Sequence, residues 1–116
     1  MASTPLALKS DVPGLRVLSG VSLPIEANYV ASVRSLSRFG PVVTLQLLLT
    51  TVPTAAGASK VLDIPVGYRP ASKGGLLSYG GQKVFIEVGG LYIMNPIASS
   101  DERILVTWFT NDPFPA

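Results

Sequence analysis

The longest regular alternation in the chain runs from Val42 to Val52, V-V-T-L-Q-L-L-L-T-T-V. A two-residue period puts Val43, Leu45, Leu47 and Leu49 on one face and Val42, Thr44, Gln46, Leu48 and Thr50 on the other. The first is a core face. The second mixes threonine and glutamine with Val42 and Leu48, a composition suited to cover by a neighbouring chain rather than to plain solvation. β-Branched residues at both ends and Gly40-Pro41 in front favour strand over helix.

The same period recurs in shorter runs. Pro13-Gly14 is a turn signal before a strand at Leu15 to Leu18; Val21 to Leu23 is a further short candidate ended by Pro24, and Tyr29 to Arg38 alternates imperfectly. Val61 to Ile64 is stopped by Pro65, and Leu76 to Tyr79 is followed by a Gly80-Gly81 turn. In Lys83 to Val88, Val84, Ile86 and Val88 share a face opposite Lys83, Phe85 and Glu87. After Gly89-Gly90 the returning strand Leu91 to Met94 sets Tyr92 and Met94 together. Arg103 to Thr110 closes the series, with Ile104, Val106 and Trp108 on one side and Leu105, Thr107 and Phe109 on the other. With no helical period, about eight strands spaced roughly 8 to 12 residues apart predict an all-β fold, an antiparallel jelly-roll-like β-sandwich. The 11 glycines and 10 prolines supply its turns. Residues 1–14 carry no period and are expected to form a short extended attachment arm; residues 15–116 form the sandwich, a head domain.

Composition narrows the function classes. Hydrophobic residues make up 47% of the 116 positions and charged residues 14%, an apolar balance that predicts an oligomer. The net charge of +2 comes from scattered lysines and arginines with no basic stripe, so nucleic acid is not an expected partner. The apolar runs are too short for a membrane span, and the first residues lack the pattern of a secretory signal. Cysteine and histidine are both absent, which removes Cys-His and Ser-His-Asp catalysis and the usual zinc ligands. The acids Asp11, Glu26, Asp63, Glu87, Asp101, Glu102 and Asp112 show no spacing for a catalytic pair or a calcium loop. The glycine pairs precede no helix and are read as turns, not phosphate cradles. The chain is therefore expected to be no enzyme and to need no cofactor or metal.

The most distinctive stretch is Lys60 to Ala71, K-V-L-D-I-P-V-G-Y-R-P-A. Pro65 and Pro70 fix their own φ and remove donors, so a strand end enters a rigid loop that presents Tyr68 and Arg69. Asp63 is expected to pair with Arg69 or a backbone N–H. The aromatic residues suited to grip a sugar or a protein are Tyr68, Tyr79, Tyr92, Trp108 and Phe109; the register of Trp108 with Ile104 and Val106 points to the core or a subunit contact.

The segment from Leu62 to Ala71 resembles the L-P-x-G-Y-R-P segment of the C-terminal head domains of bacteriophage tail-fibre and baseplate receptor-binding proteins. Val33 to Leu49 is similar to the strand, turn and strand that precede it there, and Lys83 to Ile93 to the later hairpin; together the similarity spans about residues 18 to 110. Asp63-Ile64 departs from the commoner Thr-Leu before the proline, and no long fibre precedes the head. The resemblance implies a non-enzymatic homotrimer, similar to tumour-necrosis-factor or adenovirus knob domains, displayed on a virion at the tail or capsid exterior. It implies adhesion to a host-surface receptor such as a saccharide, with Tyr68, Arg69, Tyr79, Tyr92 and Trp108 as candidate receptor or subunit contacts and the G-Y-R-P run shaping a loop. The chain's shortness favours an alternative, a capsid decoration or head-fibre protein that binds other virion proteins through its N-terminal arm and stabilises the shell.

Overall fold

The computed structural model describes residues 14–115; the expected attachment arm lies outside them except for Gly14. Eight strands are present: β1 (Leu15–Ser19), β2 (Val30–Phe39), β3 (Val42–Thr51), β4 (Ala58–Asp63), β5 (Gly74–Leu77), β6 (Lys83–Glu87), β7 (Gly90–Met94) and β8 (Glu102–Phe109). They form two four-stranded antiparallel sheets, ordered β1-β2-β3-β8 and β4-β7-β6-β5. The antiparallel sandwich expected from the spacing of apolar runs is the observed fold. The first sheet is a meander extended by the last strand. In the second, β5, β6 and β7 are consecutive and β4 lies beside β7, a Greek-key order.

β2 and β3 meet at Gly40-Pro41. Gly40 has φ 57°, a value open to glycine at the first central position of a two-residue hairpin turn, and Pro41 follows where a negative φ is wanted. The hairpin register pairs Phe39 with Val42 and Leu36 with Leu45, so the alternation of both strands falls into phase. Val43, Leu45, Leu47 and Leu49 are all buried, as their period required. Ile104 and Trp108 of β8 extend the same inner face. Val84, Ile86, Leu91 and Ile93 supply the opposing face from the second sheet. A register shift between Lys60 and Leu62 is a β-bulge that turns both Val61 and Leu62 into the core. Truncating a fully buried leucine here, Leu45 for example, costs about 2–5 kcal/mol.

Three local expectations are corrected. Val21 to Leu23 is not a strand: Gly20–Ser22 is a single 3-10 turn closed by the Ser19 and Ser22 side-chain and backbone bonds, with only Leu23 buried. Val88 does not join the inner face; β6 ends at Glu87, and Val88 stands exposed in the tight turn to Gly90. The fifth strand begins at Gly74, two residues earlier than its apolar residues indicate, because Gly74 and Gly75 pair with Ile86 and Phe85.

Candidate functional site

The Lys60 to Ala71 stretch is locked into the scaffold from three directions. Trp108 Nε1 donates to the Tyr68 carbonyl at 2.6 Å. The Asp112 carboxylate accepts the N–H groups of Gly67 and Arg69 through one oxygen at 2.9 and 3.1 Å. Arg38 donates to the carbonyls of Gly40 (2.7 Å), Gly67 (2.6 Å) and Pro113 (3.1 Å). A buried guanidinium is tolerated there because each of these carbonyl dipoles takes one of its fork of donors. Phe114 lies near both Arg16 and Arg38, its ring centroid 4.9 and 5.1 Å from their guanidinium carbons, which adds cation–π attraction. Gly67 has φ 101°, and Pro115 atoms stand 3.1–3.4 Å from where a Cβ would sit. The segment after β8 thus straps the loop to the end of the sandwich.

Tyr68 and Trp108 are buried at 4% and 8% exposure, so neither ring is presented to a partner. Burial also pushes the Tyr68 hydroxyl pKa above its ordinary 10.0, against a smaller opposing pull from Arg16 and Arg38. Arg69 is half-buried and turns its Nε onto the Ile64 carbonyl at 3.0 Å. The expected partner of Arg69, Asp63, instead pairs with Lys60 at 2.8 Å on the outside of β4. An i, i+3 lysine on the same surface reaches that carboxylate, while Arg69 is held by the loop's own backbone.

Tyr92 lies on the outer face of the second sheet. It faces Phe85 across the β6–β7 ladder and stacks on it with centroids 5.2 Å apart and an interplanar angle of 11°. Its ring is half-covered by that partner.

Tyr79 is different. It is 84% exposed, in the loop between β5 and β6, and its backbone N–H donates to the Arg103 carbonyl at 2.9 Å. The loop beneath it is held by a buried polar chain. Ser78 Oγ donates to the Glu102 carboxylate at 2.6 Å and accepts the Gln82 N–H at 2.9 Å, and Gln82 exchanges two bonds with the Ile97 backbone. The Glu102 carboxylate fills the space a side chain at Gly80 would need. Arg103 sits 5.7 Å from the Tyr79 ring centroid, and its Nε bonds Asp101 at 3.2 Å.

Tyr79 and Arg103 border an open groove of about 560 Å³, within the size range of small-molecule sites. Val33, Leu48 and Leu105 make an apolar floor, Leu77 and Tyr79 a wall, and Gln46 and Arg103 supply polar groups. An exposed aromatic face with an amide and a guanidinium beside it suits a ligand that has both a C–H face and hydroxyls. A second cavity, about 330 Å³, lies between the Pro70 to Leu76 stretch and Val106 to Phe109. It is clamped at one end by the Ala71 N–H on the Phe109 carbonyl. Among the described residues, no group of three or more histidine, cysteine, aspartate or glutamate side chains is placed to hold a metal ion.

The five candidate contacts are therefore not one site. Tyr68, Arg69 and Trp108 form the loop lock, Tyr92 belongs to the second sheet's outer face, and Tyr79 alone lines the groove. Gln46, Arg103 and Leu105 were not singled out as ligand contacts from the sequence, since they lie 33, 24 and 26 positions from Tyr79, and only the β3–β8 pairing and the Tyr79 N–H bond to the Arg103 carbonyl gather them. Compared with known protein families, curated proteins and solved structures, the chain matches none.

Proposed function

We propose that the chain is a non-enzymatic module of a bacteriophage virion, a homotrimeric tail-tip, baseplate or fibre head domain that binds a saccharide on the host surface. The observation that carries this reading is the Tyr79 groove: a ring 84% exposed on a loop pinned by Ser78, Glu102 and Gln82. A fixed aromatic platform lowers the entropic cost of engaging a ligand. Arg103 and Gln46 line the same groove and offer donors to a ligand there, and Asp101 offsets the arginine's charge, which suits a neutral sugar over an anion. In this reading the G-Y-R-P loop shapes the head, held by Trp108, Asp112 and Arg38, and makes no receptor contact.

The test is binding of the purified full chain to a glycan array and to intact host cells, together with its location in a virion map. Saccharide-dependent binding and density at the tail support the reading. Density on the capsid shell, with no cell binding, replaces it with the decoration role.

A further inference from the structure

The two sheets turn unlike faces outward. The second sheet's outer face carries Lys60, Asp63, Lys83 and Glu87 around the Phe85–Tyr92 stack. This is a solvated surface, where Lys60 pairs with Asp63 and Glu87 reaches Lys73 at 3.7 Å. The first sheet's outer face is built otherwise. Register sets Leu15, Phe39, Val42 and Phe109 in one row across all four strands, and Val17, Ser37, Thr44 and Thr107 in the next. Phe39 is 60% and Phe109 67% exposed. The hydroxyls of Thr44 and Thr107 satisfy each other at 3.1 Å. The arginines of β1 and β2 (Arg16, Arg34 and Arg38) fall in the inward register, so among the described residues Arg103, at the far end beside the groove, is the one charge on this face.

We infer that this outer face, centred on the Phe39–Val42–Phe109 row, is where copies of the chain meet. The inference rests on the homotrimeric reading and names its surface. A foreign partner is normally selected by charge complementarity, and this face carries no charge in the phenylalanine row or in the row beside it; it offers only apolar groups and small hydroxyls, so one part of the face can pack on a different part of the same face of the next copy around a three-fold axis. Its size fits as well. Four strands at about 4.8 Å spacing and about eight residues at 3.3 Å rise, the groove floor included, cover roughly 500 Å² in projection. With side-chain relief this is of the order of the 800 Å² per partner that a standard interface buries. Phe39 and Phe109 stand two strands apart with Val42 between them, so a ring from one copy fits the cleft of the next. The floor of the Tyr79 groove, Val33, Gln46, Leu48 and Leu105, is the opposite end of the same face, so a contact that uses the whole face borders on the groove.

The experiment is mass measurement of the full chain in solution by sedimentation equilibrium at micromolar concentration. Wild type is expected as an oligomer and the Phe39→Asp/Phe109→Asp double variant as the 12.2 kDa monomer, with unchanged far-UV circular dichroism. Met94→Asp, on the other sheet, is expected to keep the wild-type mass. Thr44→Arg provides a second disruption of the face if the double variant fails to fold. A wild-type monomer overturns the trimeric reading and this surface with it. A wild-type oligomer that both face variants leave intact, or that Met94→Asp dissociates equally, overturns the surface while the oligomer stands.

Discussion

The indole N–H of Trp108 meets the carbonyl of Tyr68 at 2.6 Å, joining the C-terminal end of the last strand to a loop forty residues earlier. This bond fixes the angle at which the Gly67-Tyr68-Arg69-Pro70 run leaves the sandwich, and it makes both aromatic residues architectural. Trp108→Phe keeps most of the packing but strands a buried carbonyl. A loss of about 1–3 kcal/mol in urea unfolding is expected, with glycan binding unchanged in the folded fraction.

Asp112 holds two loop amides with one oxygen. Asp112→Ala is expected to destabilise the domain by about 1–3 kcal/mol, the scale of bonds to a charged acceptor. Amide exchange at Gly67 and Arg69 should accelerate more than at the β3 core positions. Equal acceleration everywhere would mean that the strap acts on the whole fold and not on the loop.

Gly67 combines φ 101° with close Pro115 atoms. A β-branched side chain there meets both strain and a clash, so Gly67→Val is expected to cost more than the 1–3 kcal/mol of strain alone. The readout is the thermal midpoint, and Gly67→Ala should fall between wild type and Val.

Tyr79 projects from the surface, so Tyr79→Ala should shift stability by no more than about 0.5 kcal/mol. Saccharide binding should weaken about tenfold or more, a loss of about 1.4 kcal/mol. Tyr79→Phe, which keeps the ring face, should retain most of the affinity. Wild-type binding by the alanine variant, measured by calorimetry, would remove the groove from the adhesion reading.

Burial raises the hydroxyl pKa of Tyr68 and also that of Tyr29, where a bond with Ser59 Oγ opposes it more weakly. The folded state therefore holds these protons more tightly than the unfolded chain, whose tyrosines titrate near 10.0. The stability this contributes is complete below pH 10 and is lost as pH rises through the folded values. Thermal midpoints should fall above pH 10, and the fall should be smaller in Tyr29→Phe and Tyr68→Phe.

Local alternation was enough to read the strands, because a strand's two faces meet different surroundings at every second residue. Val43 to Leu49 and Ile104 to Trp108 declare their buried side without reference to anything distant. Where a local rule competes with chain geometry the reading slipped. Val21 looked like a strand residue but lies in a 3-10 turn, and Val88 continued an apolar alternation that a turn had already ended.

What the sequence determined alone was the fold class, the place of eight of the nine runs it offered as strands, the rigid character of the Pro65 to Pro70 loop and the apolar bias of one face of β3. Tertiary structure decided which side chains share a place. Arg38 reaches Gly67, Asp112 reaches Arg69, and Tyr79 finds Arg103 and Gln46, in each case across 24 or more positions. Such meetings depend on strand order and register, and these follow from packing the whole sandwich, to which no short window of residues has access.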